Sequence, residues 1–441
     1  MYEQKEEQQM ELIDRILSRE NMLRALKAVK RNKGAAGIDK VTVGELDEYF
    51  RQHWAEMKAD ILNKKYKPQP VRRVYIPKSN GKKRPLGIPT VADRVIQQAI
   101  AQKLVKIFDP TFSDYSHGFR PQRSCHTAME QVLQNLNDGY EWVVDLDIEK
   151  YFDTVNHDKL ISILREEVND ATTLNLIRRF LKAGVMEDGL VSPSEEGVPQ
   201  GGPLSPILSN IYLDKLDKEL ETRGLRFVRY ADDVNIFVKS EMAANRVMKS
   251  IVSWLERKLF LKVSAEKTKV VRPTKSEYLG FGFWKHYKEW KCKPLNSRKA
   301  RLYKKCREKL LRKRAVERPL GVTIKQLNQV IRGWINYYRI GSMKGFLDEF
   351  GQWLRHKVRV VIIKQWKRPR TIYRNLMKLN RMCKCNMSDE DIFKVANSRL
   401  GWYRRCAMNV VNFLISPKLL ETENKKKSRP ALVNPLSYYL S

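Results

Sequence analysis

Two adjacent carboxylates, Asp232 and Asp233, sit in the string Arg229-Tyr230-Ala231-Asp232-Asp233-Val234, between two stretches that each read as a β-strand. Upstream, Leu225, Phe227 and Arg229 alternate with Arg226, Val228 and Tyr230. Downstream, Val234 to Val238 is apolar and β-branched, so the acids fall at a hairpin tip. Like charges held side by side repel and lose hydration, and a hard divalent cation such as magnesium offsets that cost through oxygen ligands. The competing reading is a solvated Asp-Asp turn. A third acid bears on the choice: Tyr140 to Ile148 reads as a strand whose period of two puts Asp145 and Asp147 on one face. Carboxylates from separate rigid strands, gathered about two cations roughly 4 Å apart, are the arrangement of two-metal phosphoryl transfer. One ion would activate a 3′-hydroxyl for in-line attack, and the other would grip a triphosphate and steady the departing pyrophosphate. No Ser/His/Asp or Cys/His arrangement competes, and a G-x-x-x-x-G-K-[ST] phosphate loop is absent.

These acids need elements to hold them. A helix over about 11–29 leads into a basic loop, Arg31 to Asp39, broken by Gly34 and Gly37; a second helix spans about 43–62. Val71 to Pro77 alternates like a strand, and Pro85 to Ile88 returns from a turn crowded with Lys78, Lys82, Lys83 and Arg84. Such a hairpin can close over an anionic ligand, or it can be a solvated edge kept apart by its lysines. A helix capped near Asn156 follows the Asp147 strand, and a stiff loop from Gly197 to Pro206 enters another helix. Strand, helix, loop, helix and hairpin make an α/β layer with the acids at one end. From Ser297 to Arg318 a basic amphipathic helix carries Leu302, Cys306, Leu310 and Leu311 on one stripe, and helices over about 324–340 and 346–366 follow. Beyond Pro369 the pattern weakens into short helices and a basic stretch, Lys425 to Pro430.

Composition bounds the partners. The 441 residues carry a formal charge of +35, an excess that calls for a polyanion such as nucleic acid. No apolar run approaches the roughly 20 residues that span a bilayer, and the first ten residues lack a signal peptide's apolar core. A cytoplasmic protein without a membrane partner is expected. Six scattered cysteines argue against a disulfide framework, and Cys383 and Cys385 lack the second half of a zinc site.

In this order and spacing the motifs resemble those of bacterial group II intron-encoded reverse transcriptases, or maturases, of the compact IIC kind. They run from Asn32 to about Trp402 and include Ile76-Pro77-Lys78, Arg84 to Pro89, His117 to Pro121, Asp147 to Asp153, Pro199 to Pro206, Tyr230 to Asp233, Tyr278 to Phe281 and Arg332 to Tyr338. The resemblance implies an α/β (α+β) right-hand polymerase: fingers and palm with a mixed antiparallel sheet, then an all-α thumb or maturase domain. The implied division is an N-terminal extension and fingers at 1–125, palm at 126–290, thumb at 291–370 and a small basic segment at 371–441. It makes Asp147, Asp232 and Asp233 the catalytic metal ligands for two Mg2+ ions, which Mn2+ could replace, with the Ile148 carbonyl helping. Asp145 becomes a supporting or solvated acid. Lys78, Arg84, Gln200 and Gly201 would hold the incoming nucleotide. Tyr151 would exclude a 2′-hydroxyl if the strand continues through it, with Phe152 as the competing candidate. Tyr278, Leu279, Gly280 and Phe281 resemble the primer grip, and the loop from Gly34 to Ile38 resembles a cover over template RNA. Candidate RNA contacts are Lys33, Arg120, Arg298, Lys299, Lys304, Lys305, Arg312, Lys313 and Arg332, with Trp334, Tyr337 and Tyr338 read as core.

The function implied is an RNA-directed DNA polymerase acting on deoxynucleoside triphosphates and an RNA template/DNA primer duplex, bound to intron RNA and directed to target DNA. Because the last histidine is His356, no C-terminal H-N-H nuclease is expected. A second reading is an RNA-binding splicing factor with incidental polymerization. A third is a retron, diversity-generating or CRISPR-linked enzyme, against which the Arg332 to Tyr338 motif favours the intron class.

Overall fold

The computed structural model describes residues 10–77, 81, 83–187, 189–193, 195–424 and 428–441, with the side chains of residues 312 and 313 also left out. The chain forms two compact units, Met1–Ser276 and Glu277–Ser441.

In the first unit, strands β1 (Val71–Pro77) and β2 (Lys83–Ile88) pair antiparallel around the basic turn. A later pair, β4 (Val185–Glu187) and β5 (Leu190–Ser192), joins β1 in parallel, which gives a mixed sheet in the order β2-β1-β4-β5. Beside it the helix Val91–Phe108 is buried on nearly every side, and the helix Arg19–Asn32 packs against it. The apolar run expected as one N-terminal helix breaks at Ser18 into Leu12–Leu17 and Arg19–Asn32.

Thr90 caps the Val91–Phe108 helix, its Oγ1 accepting from Asp93 N at 3.1 Å. The buried Asp93 carboxylate accepts from Tyr66 Oη (2.7 Å), Thr90 Oγ1 (2.8 Å) and Gln69 N (3.1 Å). Burial outweighs these bonds and pushes its pKa up to about 6. The folded state then holds the proton more tightly than the unfolded chain, so the stability this group contributes is full below about pH 4 and is lost as pH rises through about 6. Between pH 5 and 7 the wild type should lose about 1 kcal/mol more stability than Asp93→Asn, read from urea midpoints at the two pH values. Parallel losses in the two proteins would reject the assignment.

The second sheet of this unit is antiparallel throughout, ordered β6-β7-β3-β8, from β3 (Trp142–Asp147), β6 (Arg226–Tyr230), β7 (Asp233–Val238) and β8 (Lys269–Val271). The helix Cys125–Asn137 packs on β6 and the helix Glu241–Lys258 on β3, β7 and β8. The helix Ser205–Thr222 is also set against β6.

The second unit opens on a three-stranded sheet, β9 (Glu277–Tyr278), β10 (Phe281–His286) and β11 (Glu289–Pro294), followed by the helices Asn296–Lys309, Leu320–Tyr338 and Lys344–Trp366. The expected 297–318 helix stops at Lys309, and a single turn, Arg312–Ala315, follows. The units divide at Ser276, ahead of the 290 implied by the motifs, because Phe281 packs on Tyr337 and Tyr338 with ring centroids 6.1 and 5.0 Å apart. Residues 371–441 belong to the same unit: Asn328 Nδ2 donates to Ala431 O (2.7 Å), and Asn328 Oδ1 accepts from Val433 N (2.9 Å). Among the described residues no helix is long and apolar enough to cross a membrane.

Candidate active site

Tyr230 pairs with Asp233 across β6 and β7, so Ala231 and Asp232 form a two-residue turn. Ala231 lies at φ +57°, a conformation that disfavours a side chain by roughly 1–2 kcal/mol. The turn is therefore held from below. Arg229, fully buried, donates from Nη1 to Ala231 O (3.0 Å) and Asn210 Oδ1 (3.1 Å). Its other side forms a fork on the equally buried Asp217, with Nε 2.7 Å from Oδ1 and Nη2 2.5 Å from Oδ2. Burial works against the Arg229 charge, but the facing carboxylate outweighs it and raises the guanidinium above its ordinary value. The loop before Gly118 runs alongside β6, with Arg229 N donating to Tyr115 O and His117 N to Arg229 O, both at 2.9 Å. A Cβ on Gly118 would lie 2.3 Å from Ala231 N, so only glycine lets this loop seat against the turn.

Register does the rest. Asp147 is the residue opposite Asp233 in the antiparallel pairing of β3 and β7, which puts carboxylates from two strands at one end of the sheet. Asp233 is open to solvent on one side, yet the protein packed on its other side desolvates it. Asp232, Asp145 and Asp147 add like charge, and its pKa rises to about 6 against the pull of Lys267. Asp147 is clamped by the 264–268 segment: Ser264 N donates to Asp147 O (2.9 Å), and Asp147 N to Thr268 Oγ1 (3.2 Å). Lys267 Nζ lies 2.9 and 3.1 Å from the two Asp147 oxygens. Asp145 faces Lys269 at 3.8 Å. Ile148 is buried just past the strand end and bridges to Val263.

The excess negative charge and the hard oxygen donors fit a divalent cation. Among the described residues no three ligating side chains form a group that could hold an ion, and both Asp147 oxygens are paired with Lys267.

On the fingers side, Arg84 Nε donates to Gln200 Oε1 at 2.9 Å, so two of the residues expected at the nucleotide touch one another. Lys78 lies outside the described residues. Gly201 sits at φ +125°, and a Cβ there would meet Gly87 O at 2.3 Å; its glycine is required by the packing of this loop on β2. A cleft of about 390 Å3 opens between Arg73, Tyr75, Gly87, Phe152, Val198 and Gln200.

Tyr151 departs from expectation. The strand stops at Asp147, Lys150 turns the chain at φ +45°, and Tyr151 begins the short helix Tyr151–Thr154. Its side chain is 2% exposed, with Oη donating to Ser209 O at 3.0 Å. Phe152, in edge contact with it at 5.2 Å, is the one of the two that lines the cleft.

Arg120 also turns inward. Nε donates to Asp109 Oδ1 (2.7 Å), Nη1 to Ser113 O (2.5 Å) and Ser116 O (3.0 Å), and Nη2 to Asp109 O (2.9 Å). With most of its donors satisfied internally, it is a clamp for its own loop and not an RNA contact. Lys33 is exposed where the Arg19–Asn32 helix ends, and the loop after it is pinned by Arg94 on Ala35 O and by Arg72 on Ala36 O.

In the second unit, Tyr278 pairs with Phe281 around the turn Leu279–Gly280, whose φ values of +51° and +85° suit a tight hairpin. The Arg332 to Tyr338 motif buttresses that turn. Tyr337 Oη donates to Leu279 O (3.0 Å), and a Cβ on Gly280 would lie 2.8 Å from Tyr338 Oη. Tyr338 is buried, the half-buried Trp334 packs on it, and Tyr337 is 39% exposed. Of the candidate RNA contacts here, Lys304 and Lys305 are free on the surface. Lys299 covers the Phe346 ring (5.1 Å), Arg332 covers Tyr438 (5.6 Å), and Arg298 is half-buried against Gly280. The Arg312 and Lys313 side chains lie outside the described part.

Residues 76–283 match the reverse transcriptase (RNA-dependent DNA polymerase) family, and residues 299–380 match the maturase-specific domain of group II introns. Fold and site together define a reverse transcriptase joined to a maturase domain. Protein YkfC of Escherichia coli K12 is 34% identical over 299 residues, covering 59% of this chain and 78% of YkfC. The group II intron-encoded protein LtrA of Lactococcus lactis subsp. cremoris is 43% identical over 203 residues, 45% of this chain but 33% of LtrA. Among solved structures, a partial Cas6-RT-Cas1--Cas2 complex covers 57% of this chain and 43% of its own at 23% identity, with a TM-score of 0.36. The chain belongs to the group II intron-encoded reverse transcriptases, a family that depends on divalent metal.

Proposed function

We propose that this protein copies intron RNA into DNA and also binds that RNA as a maturase, assisting splicing and mobility in the bacterial cytoplasm. The observation that carries the reading is the register match of Asp147 with Asp233, with Asp232 beside it at the turn. These three carboxylates and the Ile148 carbonyl would hold two Mg2+ ions, with Mn2+ able to substitute. When bound, the cations acidify the primer 3′-hydroxyl and neutralise the triphosphate. Arg84, braced by Gln200, meets the incoming deoxynucleotide, and the Leu279–Gly280 turn presents the primer of an RNA template/DNA primer duplex. Target DNA is the expected destination of the product. Primer extension on an RNA template with deoxynucleotides and Mg2+ tests the polymerase; tight RNA binding without extension would leave a splicing factor. Clustered acids speak against that second reading, since a protein that only binds RNA gains nothing from carboxylates near phosphates.

Phe152, and not Tyr151, takes the place of the sugar gate. Phe152→Ala should raise ribonucleotide incorporation roughly 10- to 100-fold, the range over which a small pocket discriminates. Tyr151→Phe, which removes only a buried hydroxyl, should leave selectivity unchanged. Single-nucleotide extension with matched ribo- and deoxynucleotides reads both, and an unaltered ratio in Phe152→Ala would place the gate elsewhere.

A further inference from the structure

The hairpin of β10 and β11 ends in an aromatic tip that the acid site and the grip turn leave unused. His286 pairs with Glu289, so Tyr287 and Lys288 form the turn. Tyr287 is 92% exposed and lies at φ +55°, at a position where hairpins favour glycine. Both facts weigh against tyrosine as a folding choice: a bulky residue at positive φ is a backbone outlier, and the ring is left in water.

The ring extends a row. Trp284 meets His286 edge to face at 5.3 Å, and His286 meets Tyr287 at 4.6 Å. On the face of Trp284 and His286 stand Lys291 and Lys293, with Lys288 in the turn, while Glu289 is paired by Lys291 at 3.2 Å and Glu277 lies opposite Gly282 at the far end. Rings interleaved with cations form the surface on which unpaired bases stack while lysines meet the phosphates. A duplex hides its base faces in its own stack, so the surface suits a looped or bulged strand. At about 3.3 Å per residue, the tip lies roughly 17 Å along β10 from Phe281, clear of the grip turn.

We propose that Tyr287 is a stacking platform for an unpaired base of the RNA held by the maturase unit. The proposal rests on the RNA-binding reading of that unit and adds a residue and a conformation of RNA to it.

The test uses the full chain and two probes, an RNA stem-loop with an unpaired adenosine loop and a blunt RNA–DNA duplex, in filter binding at fixed salt. Tyr287→Ala and Tyr287→Gly should each weaken stem-loop binding roughly 10-fold and leave duplex binding and primer extension unchanged, while Tyr287→Phe keeps wild-type affinity. Tyr287→Gly should melt no lower than the wild type, which separates lost stacking from lost folding. Equal affinity of wild type and both variants for the stem-loop would overturn the proposal alone, as would an equal loss on both probes. A wild type that binds neither probe would take the RNA-binding reading down with it.

Discussion

Asp232→Asn is expected to abolish primer extension on an RNA template, by about three orders of magnitude or more, with RNA affinity within about twofold of the wild type. The size follows from the chemistry: charge stabilisation by bound metal is worth several kcal/mol, and roughly 1.4 kcal/mol is tenfold in rate. Asparagine keeps the shape of the side chain at the turn and removes one ligand charge. Affinity is spared because phosphate contacts reside in cations spread over a chain of charge +35. A second signature is independent of turnover. Burial is the chief cause of the raised Asp233 pKa and stays in the variant, but Asp232 is the largest of the like charges that add to it, so its removal should lower the Asp233 pKa below about 6, measurable by carbon NMR without metal. Retained synthesis in the variant would refute the metal-site assignment.

Arg229→Met should cost the first unit about 3–5 kcal/mol, because it strands Asp217 as an uncompensated charge with no exposure. That is a large share of the ~5–15 kcal/mol by which domains are stable. Replacing the pair together, Arg229→Met with Asp217→Leu, should recover most of the loss, since an apolar pair of similar volume stands in well for a buried ion pair. Activity should not return with stability, because the bonds to Ala231 O and Asn210 are gone. Urea midpoints and primer extension on the same three proteins check both halves; a double variant that is stable and fully active would show that the turn needs no guanidinium beneath it.

The acid turn was legible because alternation on both sides of Asp232 and Asp233 leaves only a hairpin tip for them. β3 was legible for the same reason, but its pairing with β7, and the register that sets Asp147 opposite Asp233, came only from the fold. Nor was its end legible: nothing between Ile148 and Tyr151 is glycine or proline, and the break comes from Lys150 in a left-handed conformation. Extending the strand by four residues put Tyr151 at the sugar, whereas the helix turn buries it and brings Phe152 to the cleft. Arg120 misled for a different reason. In a chain this basic an arginine reads as a phosphate contact, while three of the four acceptors that hold it are backbone carbonyls, which leave no mark in a sequence. Arg229 and Asp217 lie twelve residues apart on a strand and a helix, with no local pattern to pair them. Lys267 is one lysine among many, and only the fold of the 264–268 segment brings it to Asp147.

The helix Ser205–Thr222 takes part in the site at two places along its length. Ser205 Oγ ties its start to Pro199 O at 2.5 Å, beside the Gln200 loop, and farther along Asn210 and Asp217 hold Arg229 under the acid turn. Twelve residues of helix at ~1.5 Å each make a strut of about 18 Å with no glycine from Ser205 to Asp217. The Pro199–Gln200 loop and the acid turn are thus fastened to one rigid element, so any displacement of the one would be carried to the other as rigid-body travel.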